Sequence, residues 1–180
     1  VVDSKPNMLN ITVIDGTDIG TRYKNGIDAV VTIQIGDLKA STKVAKKSNN
    51  PEWNEKLSIP VEDGAQLVEI TVVNSSLVRN IFMGRTRIPL NEIAETADTG
   101  LTRSFTLYNQ NLQFDETMNY GSIQIQLAWD FNQQMDDERK AKRKRWKWFR
   151  RMGKVAGAVG SVASFVGGGV AYVGGGVASG

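Results

Sequence analysis

The chain has 180 residues, room for one ordinary domain and an appendage. It has no Cys and no His, which excludes disulfides, thiolate metal sites, and the commonest general base and metal ligand. The net charge of +3 is split unevenly: residues 1–135 carry 12 Lys and Arg against 16 Asp and Glu, or −4, and residues 136–180 carry 10 against 3, or +7. The basic character belongs to the C-terminal part, and such asymmetry points to an anionic partner. No carboxylate pair stands out for acid–base work, so neither an enzyme nor a cofactor is expected.

The chain opens Val-Val rather than with Met, as a piece of a longer protein would. Residues 1–7 read as a leader. The opening VVDSKPNMLN has no long apolar run and no secretory pattern, so a cytoplasmic location is expected and the sequons at Asn10 and Asn74 are read as chance. MLNITVID alternates, with Leu9, Ile11 and Val13 on one face, as a half-buried strand does. DAVVTIQIG places Ala29, Val31, Ile33 and Ile35 together, and WNEKLSIP places Trp53, Glu55, Leu57 and Ile59 in phase. LVEITVV, FMGRTRIPL, RSFTLY and SIQIQLAW continue the series, separated by Gly, Asn, Asp and Pro clusters. Only PLNEIAET reads as a turn of helix. Short strands at near-even spacing predict an all-β, antiparallel sandwich over residues 8–131.

Particular residues sharpen this pattern. NNPEWNE, Asn50 among its residues and ending at Glu55, resembles the NP-x-WNE stretch of the C2 domain, a family known for binding phospholipid. NGIDAVV is similar to that family's G-x-S-D-P-Y-V, with Ala29 and Val30 departing from Pro-Tyr, and FMGRTRIPL and GSIQIQLAW are similar to later strands. The resemblance covers residues 8 to 130 and implies an eight-stranded Greek-key sandwich. It also implies where calcium ligands would stand. Asp28 is the only family carboxylate retained; Arg22, Asn74, Ser76 and Ile81 (or Asn80) fall where further acids are expected. Calcium takes six to eight oxygens, several of them charged. The domain is therefore expected to be calcium-independent, to hold no metal, and to use Asp28 as a loop or turn residue. Trp53 is expected to pack on the core, with Asn50 and Asn54 shaping the turn and strand start.

Two basic regions remain to meet an anionic lipid. In DLKASTKVAKK, with Lys39, Lys43, Lys46 and Lys47, an extended Leu38–Lys47 would put Lys39, Lys43 and Lys47 on one face, ~13 Å apart. Lysines that protect an edge strand would look the same. The second region, residues 132–154, is basic and amphipathic. Lys142, Arg143, Lys144, Arg145, Lys147, Arg150 and Arg151 interleave with Trp146, Trp148 and Phe149, the composition of a basic collar and aromatic belt at a membrane surface.

Residues 155–180 carry no charge and nine glycines. Val155, Val159, Val162, Val166, Val170, Val173 and Val177 nevertheless follow steps of 4, 3, 4, 4, 3 and 4, an eleven-residue helical repeat that Met152 and Trp148 extend backward. Gly157, Ser161, Ser164, Gly168, Ala171 and Gly175 form an equally regular row of small residues, the pattern that lets helices approach closely in a bilayer. In water, nine glycines at ~1 kcal/mol each oppose a helix. A span, a helix lying on the surface and a floppy tail all stay open. The sequence thus reads as a non-enzymatic module at anionic phospholipid membranes, peripheral or C-terminally anchored, in a trafficking or lipid-contact role. The alternative is a protein-interaction module whose tail packs through glycines, as a homo-oligomer or otherwise, or binds an acidic partner. A nucleic-acid role for KAKRKR ranks third, because no reader motif accompanies it.

Overall fold

The computed structural model describes residues 6–76, 78–93, 100–115 and 117–156, giving the backbone alone for Leu101 and for residues 153–156. The chain divides into two units, residues 1–136 and 137–180.

The first unit is an antiparallel sandwich. One sheet has the order β5-β1-β9-β8, built from Met8–Thr17 (β1), Glu52–Pro60 (β5), Leu101–Thr106 (β8) and Ser122–Asp130 (β9). The other has the order β3-β2-β6-β7, built from Ile27–Ile35 (β2), Leu38–Ser41 (β3), Leu67–Ser75 (β6) and Asn80–Pro89 (β7). Ala45–Ser48 (β4) also pairs with β2, so β3 and β4 share one sheet position and the sandwich has eight positions, as the sequence implied. A single turn of helix, Leu90–Ile93 (α1), follows β7.

Alternation builds the core. Leu9, Ile11 and Val13 of β1 meet Ile123, Ile125 and Leu127 of β9 within one sheet, and Val31 and Ile33 of β2 meet Val72 and Ile70 of β6 in the other; all ten are buried. The two inner faces interdigitate, and burying each such aliphatic chain contributes roughly 1.5–3 kcal/mol. Trp53 packs half-buried against this core, and its indole N–H donates to the Ala29 carbonyl of the opposite sheet at 3.1 Å. Asn54 has φ of 47° where β5 gains a residue over β1, which makes the expected strand-start asparagine a bulge residue.

The second unit continues a helix, Gln133–Ala156 (α2), of 24 residues. The first turn of α2 lies within the first unit. Asn132 Oδ1 accepts the Met135 N–H at 3.1 Å as an N-cap. Asp136, Asp137 and Glu138 stand at the positive end of the helix, and the basic residues follow toward its negative end. Asn7 holds the cap in turn: its side chain accepts the Asn132 N–H at 2.7 Å and donates to the Asn132 carbonyl at 2.9 Å. No helix among the described residues is long and apolar enough to cross a membrane.

Candidate functional site

The loops after β1, β4, β6 and β8 gather at one end of the sandwich. The Ile19 and Asp18 N–H groups donate to the Asn49 carbonyl and Asn50 Oδ1, and the Asp28 N–H donates to Asn74 Oδ1 at 3.0 Å. The residues at the expected calcium positions are engaged in shaping these loops. Asp28 Oδ1 accepts the Lys47 N–H at 3.0 Å. Ser76 Oγ closes a turn onto Arg79, donating to its carbonyl at 2.6 Å and accepting its N–H at 3.2 Å. The Arg22 guanidinium lies over the Tyr23 ring, 5.3 Å from its centroid. Among the described residues, no three acidic side chains gather into a group that could hold a metal ion.

Two open clefts flank Tyr120 at this end. One, about 540 Å³, is lined by Arg79, Asn80 and Asn109–Asn111; the other, about 440 Å³, by Arg22, Met83 and Met118. Val78 and Phe114 stand out beside them, 92% and 72% exposed. Asp115 orders its loop: the Thr117 hydroxyl and N–H both donate to it and hold its carboxyl below the usual carboxylate range.

The lysine segment departs from the expected geometry. Leu38–Lys47 is not one extended run. Pairing with β2 slips by one residue after Thr42, whose N–H and Oγ1 bond the Val31 backbone, and by one more before Ser48. Each slip turns the following side chains to the other face. Lys39 lies on the outer face beside Gln34, the Lys43 N–H donates to Glu55 Oε2 of the other sheet at 2.8 Å, and alternation from Ala45, the partner of buried Ala29, turns Lys46 outward. Lys47, with φ of 52°, leaves the proposed row. In its place the structure supplies two cations from the far edge. Register sets Lys39, Gln34, Glu69 and Arg87 in one row across the sheet, and Ser41, Thr32, Thr71 and Arg85 in the next. Glu69 pairs with Arg87 Nε at 2.7 Å and Arg85 Nε at 3.5 Å. One carboxylate between two guanidinium groups leaves the face cationic. The Arg-x-Arg spacing in FMGRTRIPL, two residues apart on a strand, was the signal for this pair.

In α2 the collar residues are brought onto one continuous helix. Lys142, Arg143, Lys144, Arg145, Lys147, Arg150 and Arg151 are all exposed. So are Trp146 at 71% and Trp148 and Phe149 at 55% each, with the last two rings edge to face at 5.1 Å. At ~100° per residue, Arg139, Arg143, Lys147 and Arg150 share one side and Phe149 and Met152 lie on the other. The small-residue row Gly157, Ser161, Ser164, Gly168, Ala171 and Gly175, and the valines beyond Val155, lie outside the described residues.

A profile of the C2 domain matches residues 7–107. The chain belongs to the C2 domain family. C2 domains are non-catalytic modules, in agreement with the reading from composition. Among relatives, "GTPase activating protein 1" of Oryza sativa subsp. indica is 24% identical over 149 residues, covering 68% of this chain and 90% of the relative. The "Multiple C2 and transmembrane domain-containing protein" of Drosophila melanogaster is 29% identical over 118 residues, 65% of this chain but only 12% of the fly protein. Among solved structures, a single C2 domain of plant Extended Synaptotagmin 1 superposes with a TM-score of 0.59 at 20% identity, covering 71% of this chain and 98% of that one. A tandem pair of C2 domains from Extended-Synaptotagmin 2 gives 0.58 at 24%, covering 72% and 43%. These likenesses carry the C2 fold.

Proposed function

We propose that this C2 protein is a calcium-independent module that associates with anionic phospholipid surfaces, with α2 as its principal contact, in a trafficking or lipid-contact role. The observation that carries the reading is a helix with ten basic residues from Arg139 to Lys154 and three large exposed aromatic rings among them. Each cation near an anionic surface contributes about 1 kcal/mol, and Trp rings favour the headgroup boundary. The outer face of the second sheet, with Lys39, Lys46, Arg85 and Arg87, adds a weaker cationic contact. Val78 and Phe114 offer the loop end apolar points of insertion. Calcium is dispensable in this reading because Asp28 and Asn74 are bonded to the loops they shape. The apolar residues after Ala156 serve as an anchor that α2 leads toward the bilayer.

Flotation of the full chain with phosphatidylserine vesicles tests this. Binding is expected without calcium, and replacing Lys144, Arg145, Arg150 and Arg151 with Gln is expected to reduce it, most strongly at low salt where screening is weakest. A full chain that fails to float on such vesicles, or floats equally on neutral ones, overturns the reading.

A further inference from the structure

The apolar groups of α2 form one broad face, and its cations spread around most of the helix. Trp146 and Trp148 stand two residues apart, about 160° around the helix. Both are more than half exposed, at 71% and 55%. Phe149 and Met152 fall between them, so the four apolar side chains cover one broad arc of about 160° opposite Arg143 and Lys147. Cations also intrude on this arc. Lys142 and Arg145 stand seven residues before Phe149 and Met152, on the same side of the helix, so the aromatic side is itself cationic. Trp148 and Met152 stand at i and i+4, and Trp146 and Phe149 at i and i+3, which gives two neighbouring apolar anchor pairs along one broad face. From Arg139 to Ala156 the sequence has ten basic residues and no acidic one.

We propose that α2 is also the docking helix of an acidic protein with an apolar groove that closes around it, and that this capture lifts the chain from anionic membranes. A hydrophobic groove takes an amphipathic helix by apolar anchors at i, i+3 and i+4 spacing, as these four are spaced. An acidic rim meets cations around the whole circumference. Charge complementarity and the anchor spacing select the occupant. Acidic, methionine-lined grooves of the EF-hand kind open when they bind calcium. A domain with Arg22, Asn74 and Ser76 where the C2 resemblance implies calcium-binding acids would then answer to calcium through its partner. The docking half stands independently; the release half rests on the membrane reading.

The probe is calmodulin, mixed with the full chain in calcium or in chelator and followed by titration calorimetry. A one-to-one complex is expected with calcium-loaded calmodulin only. Trp146→Ala with Trp148→Ala is expected to weaken it at least about tenfold, since buried aromatic anchors dominate such interfaces. These side chains are exposed in the free chain, so circular dichroism is expected to stay unchanged. No complex, or equal binding to calcium-free calmodulin, which is as acidic but closed, overturns the proposal. Flotation on phosphatidylserine vesicles then tests release. Loaded calmodulin is expected to deplete the floating chain, and chelator to restore it. A chain that binds calmodulin but stays on the vesicles overturns the release half. A chain that binds calmodulin and never floats overturns the membrane reading and leaves docking supported.

Discussion

Gly26 shows how narrowly the loop end is specified. Its φ is +74°, and a Cβ there would lie 2.5 Å from the Lys47 carbonyl carbon, backbone that cannot move aside cheaply. Gly26→Ala is therefore expected to cost about 2–4 kcal/mol, seen as a lowered melting temperature. Gly36 is the control: its φ is +57° but nothing lies within 4 Å of an added Cβ, so Gly36→Ala is expected to cost only about 1–2 kcal/mol. Trp53 separates two contributions in the same way. Trp53→Phe removes the hydrogen bond to Ala29 and keeps much of the ring, for about 1 kcal/mol. Trp53→Ala also removes the packing, for about 3 kcal/mol. Equal destabilisation by the two, measured by urea unfolding, would show that the ring contributes little.

At the scale of elements, Asn7 and Asn132 fix where α2 begins. Asn132→Ala removes only the cap and is expected to cost about 1 kcal/mol. Asn7→Ala leaves the Asn132 N–H without its acceptor and the Asn132 carbonyl with only the Asp136 N–H, opens a gap at a site only 4% exposed, and is expected to cost about 2 kcal/mol by chemical unfolding. The sandwich was legible from its strands because period-two alternation and a one-sided core are the same fact. Ala29, Val31, Ile33 and Ile35 appear in the sequence as they pack in the fold. The lysine segment was not legible. Its two register slips come from Thr42 bonding Val31 and from Lys47 turning onto Asp28, contacts 11 and 19 residues distant that no local pattern encodes. The start of α2 was legible as a change of composition, but its grip by Asn7 pairs residues 125 apart. Arg85 and Arg87 carried a signal in their spacing, and only the neighbouring Lys39 strand makes it a shared face.

At the scale of the whole molecule, the chain is a −4 sandwich followed by a +7 extension. Its melting temperature is expected to stay constant as calcium is raised to millimolar levels, because a ligand stabilises only what it binds. A rise of several degrees would mean that the loop end still holds the ion. The Asn7–Asn132 pairing has one more outcome. The backbone enters and leaves the sandwich at neighbouring points, both on the side away from the loops, and the two strands there, β1 and β9, are the central pair of their sheet. A unit with its ends so close can be spliced into a surface turn of another protein without stretching either host or guest. Residues 7–132 thus form a portable cassette, one that leaves its loop end facing outward from whatever carries it.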